Sequence, residues 1–372
     1  MRIFHVSDCY APRTGGIETQ VRDLAKAQVA AGDEVHVLTA TTGADGERHG
    51  ETEDDDGVVV HRLGGRMPGD LPVSPTAPRR MRELIARLEP DVVHVHAGVI
   101  SPVAYDGARV ALESGVPLAI TWHCMLDGWT PALRAVVRRS RWRGAPVALS
   151  AVSRSAAARV ERVFGRPVAV MPNGTDMRLW GPTARRSDGA LRCVATMRLA
   201  PRKRGLALID TVADAAAQLG PGALHLDLVG DGPQRAAIGR RVRRRGMSSV
   251  VTVHGRLDRL EVRKLYDEAD VFLAPASLEA FGIAALEARA TGLVVVARAG
   301  TGIEEFVTDG VDGLLVDDDA AMARALVHLT TDLGLRRRLL ERSRAEPPPF
   351  DRAMTVLRAH ELYDRARAQR PG

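Results

Sequence analysis

Two glutamates, Glu279 and Glu287, have seven residues between them in the segment Glu-Ala-Phe-Gly-Ile-Ala-Ala-Leu-Glu. A short apolar strand precedes this segment, and a helix is predicted to follow Gly282. The first N–H groups of a helix lack intrahelical partners, so those of Phe281, Gly282 and Ile283 can bind an anion. Carboxylates accept hydrogen bonds from hydroxyl groups. The segment therefore predicts a site for a phosphorylated ligand that also carries hydroxyls.

A run of cations follows the first predicted strand of the second half of the chain, and it contains Arg198, Arg202, Lys203 and Arg204. Arginine offers a planar bidentate fork to phosphate, and lysine offers a point charge. The run can therefore bind a diphosphate. The alternative is a solvated basic loop.

Gly15 and Gly16 lie between the first predicted strand and a helix that begins near Ile17. Two glycines let the backbone approach an anion closely, and the helix N-terminus adds unpaired N–H groups. Neither GxGxxG nor GxxxxGK[ST] is formed here, so the nicotinamide and P-loop fingerprints are absent. The alternative is an ordinary glycine turn before a helix.

Three histidines lie on or directly after predicted strands. His94 and His96 share one face of a strand, and His123 follows the carboxyl end of another. Zinc would use such side chains, but no carboxylate or cysteine stands at ligand spacing, which favours hydrogen-bonded strand histidines. His123 lies where ligand-contacting residues of parallel sheets are found, so it is a candidate substrate contact.

Short strands alternate with helix-length segments in both halves of the chain, which predicts two parallel α/β sheets. We expect an N-terminal domain over residues 1–178, a linker over 179–190, and a C-terminal domain over 191–346. A last helix is expected over 350–368. Ligands bind outside the carboxyl ends of parallel strands, so both sheets can contribute to one cleft.

The composition is that of an ordinary globular protein. The chain has 372 residues, of which 45% are hydrophobic and 26% charged, which excludes wholesale disorder. No apolar run approaches the roughly 20 residues of a membrane span. Three dispersed cysteines and an N-terminus interrupted by His5 and Asp8 predict a cytoplasmic protein without a disulfide framework. The net charge of +6 permits phosphate-bearing partners.

Taken in order, these motifs resemble the retaining GT-B glycosyltransferases of the E-x7-E type, over nearly the whole chain. The segment Pro-Asn-Gly-Thr-Asp at 172–176 is similar to the PNGVD segment near the domain junction of that family. Arg289 departs from the apolar residue common in the helix after Gly282. The resemblance implies the GT-B architecture, in which two doubly wound Rossmann-like parallel-sheet domains face a central cleft. The N-terminal domain would be the acceptor side, the C-terminal domain would bind the nucleotide sugar, and the last helix would cross back to the N-terminal domain.

The resemblance also implies a role for each motif. Arg198 and Lys203 would hold the donor diphosphate, while Glu279 would face the sugar and Glu287 the ribose. His123 would lie near the transferred sugar, so the expected catalytic contacts are His123, Glu279, Arg198 and Lys203. The full implied donor-binding set is Gly15, Gly16, Asn173, Arg198, Lys203, Asp231, Leu257, Glu279, Phe281, Gly282, Ile283 and Glu287.

The implied reaction transfers a hexose of the mannose, glucose or N-acetylglucosamine type from a UDP- or GDP-linked sugar to an acceptor hydroxyl, with retention. No metal and no cofactor are expected. Two strings, Asp54–Asp56 and Asp317–Asp319, formally match the DxD of metal-dependent enzymes, and both are interpreted as solvated turns or helix caps. A sugar-nucleotide 2-epimerase of the same fold and a non-catalytic nucleotide-sugar-binding protein remain alternatives.

The segment Arg134–Arg143 interleaves arginines with apolar residues on a predicted helix. It is either an anionic-membrane contact at the inner membrane face or a solvated Arg-rich surface. No nucleic-acid partner is expected, because aromatic interleaving is sparse. The acceptor, whether a lipid, a glycan or a small molecule, has no motif in the sequence. The N-terminal domain is expected to select it, through loops that include Thr42–Gly57 and Gly64–Pro78.

Overall fold

The computed structural model describes residues 1–13, 15–43, 51–64, 74–182 and 189–369. The chain divides into two compact units. One comprises Met1–Gly174 with Phe350–Gly372, and the other comprises Thr175–Pro349.

An eight-stranded sheet forms the centre of the first unit, in the order β3-β4-β2-β1-β5-β6-β7-β8. Its strands are β1 (Arg2–Ser7), β2 (Glu34–Thr39), β3 (Glu51–Asp55), β4 (Val58–Arg62), β5 (Val92–Ala97), β6 (Leu118–Trp122), β7 (Val147–Ala151) and β8 (Ala169–Val170). Its helices before residue 175 are α1 (Gly16–Ala30), α2 (Ala77–Leu88), α3 (Pro102–Glu113), α4 (Thr130–Arg139) and α5 (Arg154–Phe164). Strands β5, β6 and β7 are buried along their whole length, as in a parallel sheet covered on both faces.

Strand β3 is an edge strand that the sequence did not predict. It pairs antiparallel with β4 through a tight turn, in which Asp56 and Gly57 have φ values of 56° and 86°. The Asp54 carboxylate accepts the Gly57 N–H at 3.0 Å. Residues 44–50 and 65–73, which belong to the loops predicted to select the acceptor, lie outside the described residues.

A six-stranded parallel sheet forms the centre of the second unit, in the order β11-β10-β9-β12-β13-β14. Its strands are β9 (Leu191–Thr196), β10 (Leu224–Val229), β11 (Val251–Gly255), β12 (Val271–Ala274), β13 (Val294–Arg298) and β14 (Gly313–Val316). Its helices are α6 (Met177–Trp180), α7 (Gly205–Ala216), α8 (Arg235–Arg244), α9 (Arg259–Glu268), α10 (Ile283–Ala290), α11 (Asp319–Thr331) and α12 (Leu333–Ala345). Val, Leu, Ile and Ala side chains from strands and crossover helices fill the core.

The last helix, α13 (Arg352–Ala368), belongs to the first unit, where its buried face packs against β6 and β7. At the other boundary, the predicted linker started at residue 179, but Trp180 is only 1% exposed and packs against Tyr266, with ring centroids 5.4 Å apart. An indole buried this way belongs to a core rather than to a linker, so the second unit begins earlier than the sequence indicates. Residues 183–188 of the predicted linker lie outside the described residues.

Arg289, which departs from the family pattern, is a packing residue. It is 2% exposed, and its guanidinium donates to the carbonyls of Ser343 and Glu346 at 2.6 and 2.9 Å. It also forms an ion pair with Asp312 at 2.8 Å. The last carbonyls of a helix lack intrahelical donors, so Arg289 satisfies the end of α12.

Candidate functional site

The predicted donor residues of the second unit follow four neighbouring strands. Arg198 follows β9, Asp231 follows β10, Leu257 follows β11 and Glu279 follows β12. These strands are adjacent and parallel in the order β11-β10-β9-β12, so their carboxyl ends share one edge of the sheet. The fold therefore brings all four loops to the edge at which open α/β sheets bind ligands.

The Gly230-Asp231-Gly232 segment supports the backbone of the loop that carries Arg198. A Cβ on Gly230 would lie 1.8 Å from the Met197 carbonyl oxygen, and both glycines have φ values above 130°. The Leu199 N–H also donates to the Asp231 carbonyl at 2.9 Å. The resemblance implied that Asp231 contacts the donor, and the structure adds a close backbone approach that only glycine permits.

Lys203 and Glu279 form an ion pair between their side-chain ammonium and carboxylate groups. Both side chains are about one-fifth exposed, at 22% and 19%. The next cation, Arg204, forms an ion pair with Asp319. Of the run 198–204, Lys203 therefore meets a predicted sugar-binding carboxylate, while Arg204 is engaged elsewhere in the unit.

Arg198 and Arg202 extend into solvent from the same loop. Within the described ranges, neither guanidinium has a hydrogen bond or an ion pair. Asp231 is exposed as well, and Arg235 lies 3.6 Å from it. Arg198 therefore keeps its charge and its donors available for a phosphate group.

The turn before α10 is fixed by close packing. Gly282 has a φ of 90°, and a Cβ there would lie 2.8 Å from a side-chain carbon of Ile303. The Gly302 N–H donates to the Glu279 carbonyl at 2.8 Å. Phe281 is 2% exposed and packs against Phe306, so its side chain belongs to the core.

Helix α10 begins at Ile283, and Glu287 lies one turn further on, partly exposed. Burial, followed by the charge of Glu287, raises the pKa of the Tyr266 hydroxyl well above its usual value. Glu279 before the helix and Glu287 within it thus flank the first turn of α10. Its unpaired N–H groups and the two carboxylates offer an anion site beside hydroxyl acceptors.

In the first unit, the Glu18 side chain folds back over Gly15. The Gly15 backbone is extended, and a Cβ would lie 2.3 Å from a carboxylate oxygen of Glu18. Glu18 forms an ion pair with Arg13 at 3.5 Å, and Gly16 is the first residue of α1. Sequence analysis missed Glu18, although an acidic residue in the first turn of a helix is a known signal.

The segment around Asn173 connects two helices of the first unit. Asn173 is 8% exposed, and a Cβ on the adjacent Gly174 would lie 2.6 Å from the Asp351 carbonyl oxygen, just before α13. The Gln20 side chain of α1 donates to the Gly174 carbonyl at 3.1 Å. The motif therefore has a packing role that its resemblance alone did not indicate.

His123 directly follows β6 and is partly exposed. Its N–H donates to the Ala97 carbonyl at 3.0 Å, and its Nε2 lies 2.9 Å from Nδ1 of His96. Burial lowers the pKa of His123 to about 4, so the imidazole is neutral near pH 7.

Asp8 is a buried carboxyl group that sequence analysis did not select. It accepts the N–H groups of Val103 and Ala104 at 2.9 and 3.4 Å, at the start of α3. Burial raises the pKa of Asp8 to about 6. Its position after β1 was visible in the sequence, but its partners lie some 95 residues away.

Within the described part of the chain, one group of histidines is spaced closely enough to hold a metal ion, namely His5, His94 and His96. Both ring nitrogens of His94 already have partners, the Tyr363 hydroxyl and the Thr121 hydroxyl. His5 and His96 bond to each other at 2.9 Å. These contacts support the interpretation of hydrogen-bonded strand histidines.

In the second DxD string, the carboxylates of Asp318 and Asp319 both bind other groups of the protein. Asp318 accepts the Ala321 N–H at 2.6 Å and caps α11, as predicted. Asp319 forms ion pairs with Arg204 and Arg298.

The first DxD string is not a solvated turn throughout, and the prediction was wrong for Asp55. Its carboxylate is 12% exposed and binds Arg22 and Lys26 at 2.6 and 2.7 Å. Burial alone raises the pKa of Asp55, but the hydrogen bonds from Arg22 and Lys26 outweigh it and hold the pKa well below its usual value. The carboxylate is buried because β3 pairs in the sheet and turns Asp55 toward α1.

The basic segment forms α4 and a following 3-10 turn at Arg141–Arg143. Val137 is the one buried residue of α4, and Val136 and the preceding Trp129 are 61% and 50% exposed. Arginines 134, 138, 139, 141 and 143 are exposed. Across the described ranges, no helix is both long and apolar enough to cross a membrane.

Comparison with known proteins gives two family matches that together span most of the chain. Residues 14–179 match the family described as Glycosyltransferase Family 4, and residues 190–332 match Glycosyl transferases group 1. A GDP-mannose-dependent alpha-mannosyltransferase of Mycolicibacterium smegmatis is 28% identical, over 92% of this chain and 94% of the relative. A D-inositol 3-phosphate glycosyltransferase of an Arthrobacter species is 30% identical, over 82% of this chain and 79% of the relative.

Among solved structures, HepE of Anabaena in complex with UDP and glucose is similar with a TM-score of 0.75. The identity is 20%, and the match covers 98% of this chain and 99% of that protein. A likeness at this identity concerns the fold.

The two α/β units have the GT-B fold. The family matches and the relatives at 28% and 30% identity make the protein a glycosyltransferase. The chain belongs to the glycosyltransferases of family 4 and group 1. The predicted family, fold class and enzyme class are thereby confirmed.

Proposed function

We propose that the protein transfers a hexose from a nucleoside diphosphate sugar to an acceptor hydroxyl, with retention at the anomeric carbon and without a metal. The observation that carries this proposal is the Lys203–Glu279 ion pair beside the exposed Arg198 and the first turn of α10. Cations, N–H donors and a carboxylate in one place suit a ligand that joins a diphosphate to a sugar.

In this proposal, the departing diphosphate gathers negative charge, which Arg198, Lys203 and the N–H groups near Gly282 stabilise. Glu279 orients the sugar, Glu287 binds the ribose and His123 contacts the transferred sugar, so none of them acts as a nucleophile. The engagement of Asp318 by a helix cap and of Asp319 by two arginines supports a reaction without a DxD-bound metal.

The relatives suggest which substrates to test first. GDP-mannose is our first candidate donor, because a 28% identical relative is named as dependent on it. A UDP-sugar is the second candidate. An inositol phosphate is the first candidate acceptor, because the 30% identical relative is named as a D-inositol 3-phosphate glycosyltransferase.

We propose that the arginine-rich surface of α4 contacts an anionic membrane, so that the protein binds peripherally to the inner face of that membrane. Exposed Trp129 and Val136 among exposed arginines support this, since an interfacial helix combines apolar insertion with attraction to anionic lipid.

The test is product analysis with GDP-mannose, UDP-glucose or UDP-N-acetylglucosamine, each with inositol phosphate and EDTA. The expected products are a free nucleoside diphosphate and a glycoside whose anomeric configuration, determined by NMR, matches that of the donor. An epimerised nucleotide sugar would indicate the epimerase instead, and donor binding without turnover would indicate a binding protein. Loss of donor-induced thermal stabilisation in Glu287→Ala would assign binding to the proposed edge of the second unit.

A further inference from the structure

A continuous series of hydrogen bonds leads from His123 into the interior of the first unit. Nε2 of His123 lies 2.9 Å from Nδ1 of His96, whose Nε2 lies 2.9 Å from Nδ1 of His5. Nε2 of His5 then meets the side-chain oxygen of Gln28 at 2.7 Å. The Gln28 amide nitrogen donates to the Tyr363 hydroxyl of α13 at 2.9 Å. The series thus joins β1, β5, α1 and α13.

The same series continues beyond Tyr363 and ends on the backbone. The Tyr363 hydroxyl lies 3.0 Å from Nδ1 of His94, and Nε2 of His94 lies 2.7 Å from the Thr121 hydroxyl. Thr121 and Ser150 share a hydrogen bond of 2.7 Å, and the Ser150 hydroxyl donates to the Ile120 carbonyl at 3.3 Å. Every side chain of the series except His123 is at most 2% exposed.

The series ends on the Ile120 carbonyl, which can only accept a hydrogen bond. This end sets the direction of donation along the whole series. If Ser150 donates there, it accepts from Thr121, whose hydroxyl also lies 3.5 Å from the weaker acceptor Sδ of Met171. With its proton on either acceptor, Thr121 accepts from Nε2 of His94. Nδ1 of His94 then accepts from Tyr363. A neutral imidazole has one donor and one acceptor, so each ring passes the direction on.

The direction continues through Gln28, which donates to Tyr363 and accepts from His5. His5 accepts from His96, and His96 accepts from Nε2 of His123. Burial lowers the pKa of His5 to about 4 and that of His96 well below its usual value, which keeps these rings neutral. The proton of His123 therefore lies on Nε2, and the lone pair lies on Nδ1.

We propose that this buried series fixes the tautomer of His123, so that Nδ1 accepts a hydrogen bond from a hydroxyl of the transferred sugar. Gln28, Tyr363 and His94 are then positioning residues for the reaction, although none of them touches the substrate. The tautomer decides whether that hydroxyl donates or accepts, and thus how the sugar is oriented. The sugar contact rests on the proposed function, whereas the tautomer does not.

Tyr363→Phe on full-length protein tests the series, because it removes both the acceptor of Gln28 and the donor to His94. Two-bond nitrogen–proton NMR of 15N-histidine protein distinguishes protonated from unprotonated ring nitrogens, and His123→Gln assigns the signal. We expect the Nε2–H form in the parent and a mixture in Tyr363→Phe and in Ser150→Ala. An Nδ1–H form in the parent, or no change in both variants, would overturn the proposal.

Turnover provides the second readout. We expect Tyr363→Phe to lower kcat roughly five- to tenfold, as the loss of one ordinary hydrogen bond does. The control is Leu362→Ala, at the preceding position of α13 and 2% exposed, which loosens packing without touching the series. It should lower the melting temperature more than Tyr363→Phe while leaving kcat near the parent value.

An equal fall of kcat in Tyr363→Phe and Leu362→Ala would overturn the positioning role. If instead His123→Ala turns over normally, the sugar contact of the proposed function is wrong, and with it the catalytic part of this proposal. The NMR spectra still decide the tautomer in that case.

Discussion

The side-chain ammonium of Lys203 and the carboxylate of Glu279 meet at the carboxyl edge of the second sheet. They stand 76 positions apart in the chain, but they follow β9 and β12, which are neighbours in the sheet. Both groups are partly exposed, so solvent screens the pair and its contribution to stability is small. A diphosphate can therefore compete for Lys203 at little cost to the fold.

The first prediction concerns Lys203. Lys203→Ala should lower kcat on the order of 100-fold, because it removes a cation that stabilises the departing diphosphate. The free energy of unfolding should fall by less than about 1 kcal/mol, since the ion pair is partly exposed. Steady-state kinetics with the active donor and urea denaturation measure the two quantities.

Arg202→Ala is the matched control for Lys203→Ala. Arg202 lies in the same short turn, is exposed and has no recorded ion pair within the described residues. It should retain most of the activity. Equal losses in the two variants would mean that the general charge of the loop matters and that Lys203 has no specific role.

The second prediction concerns Gly230. Gly230→Ala should lower the free energy of unfolding by more than about 3 kcal/mol and weaken donor binding, because the new Cβ meets the Met197 carbonyl at 1.8 Å. Gly222 is the matched control, since its φ is also positive, at 78°, but no atom lies within 4 Å of a Cβ there. Gly222→Ala should cost about 1 kcal/mol, from the left-handed backbone alone. The free energy of unfolding is measured by urea denaturation and donor affinity by titration. Equal losses of both in the two variants would contradict the prediction.

The elements that the sequence predicted are those with a clear hydrophobic period. Helix α1 begins at Gly16, beside the predicted start near Ile17, and α10 begins at Ile283, directly after Gly282 as predicted. Strand β3 was missed because Glu51–Asp55 has no apolar residue. It forms because β4 offers an unpaired edge and because Arg22 and Lys26 neutralise Asp55.

The site was predictable only at the level of sheet edges. Placing Lys203 and Glu279 after strands puts both at carboxyl ends, but their contact depends on β9 and β12 being neighbours. The hydrogen bond between Gln28 and Tyr363 spans 335 positions, and no local pattern indicates it. In the sequence, Gln28 is an ordinary residue of a helix, because its partner lies on α13 and comes near only when α13 packs against α1.

The third prediction is that acid destabilises the first unit. Burial lowers the pKa of His5, His61 and His123 to about 4 and holds those of His94 and His96 well below their usual value, while the unfolded value is about 6.5. The unfolded chain therefore binds more protons between pH 6.5 and 4, so stability falls as the pH drops through this window. Each histidine adds up to about 1.4 kcal/mol per pH unit.

Asp8 opposes this trend, because its raised pKa of about 6 favours the folded state at low pH and loses that effect as the pH rises from about 4 to 6. One carboxyl group does not outweigh five histidines, so the net slope keeps its sign. Trp180→Phe removes the one tryptophan of the second unit, so the fluorescence of the other three reports on the first. Urea midpoints that stay constant from pH 7 to 4.5 would refute the prediction.

The fourth prediction concerns the surface of α4. Replacing Arg134, Arg138 and Arg139 with glutamine should weaken binding to vesicles that contain anionic lipid roughly 100-fold, at about 1 kcal/mol per arginine. The matched control replaces three exposed arginines of α8, at positions 240, 243 and 244, which changes the net charge equally without the exposed Trp129 and Val136 nearby. Vesicle flotation at physiological salt should show loss of binding for the α4 variant alone. Equal loss for both variants would mean that the net charge attracts the protein to the membrane and that α4 has no specific role. A specific contact of α4 would need both its arginines and its inserted apolar side chains.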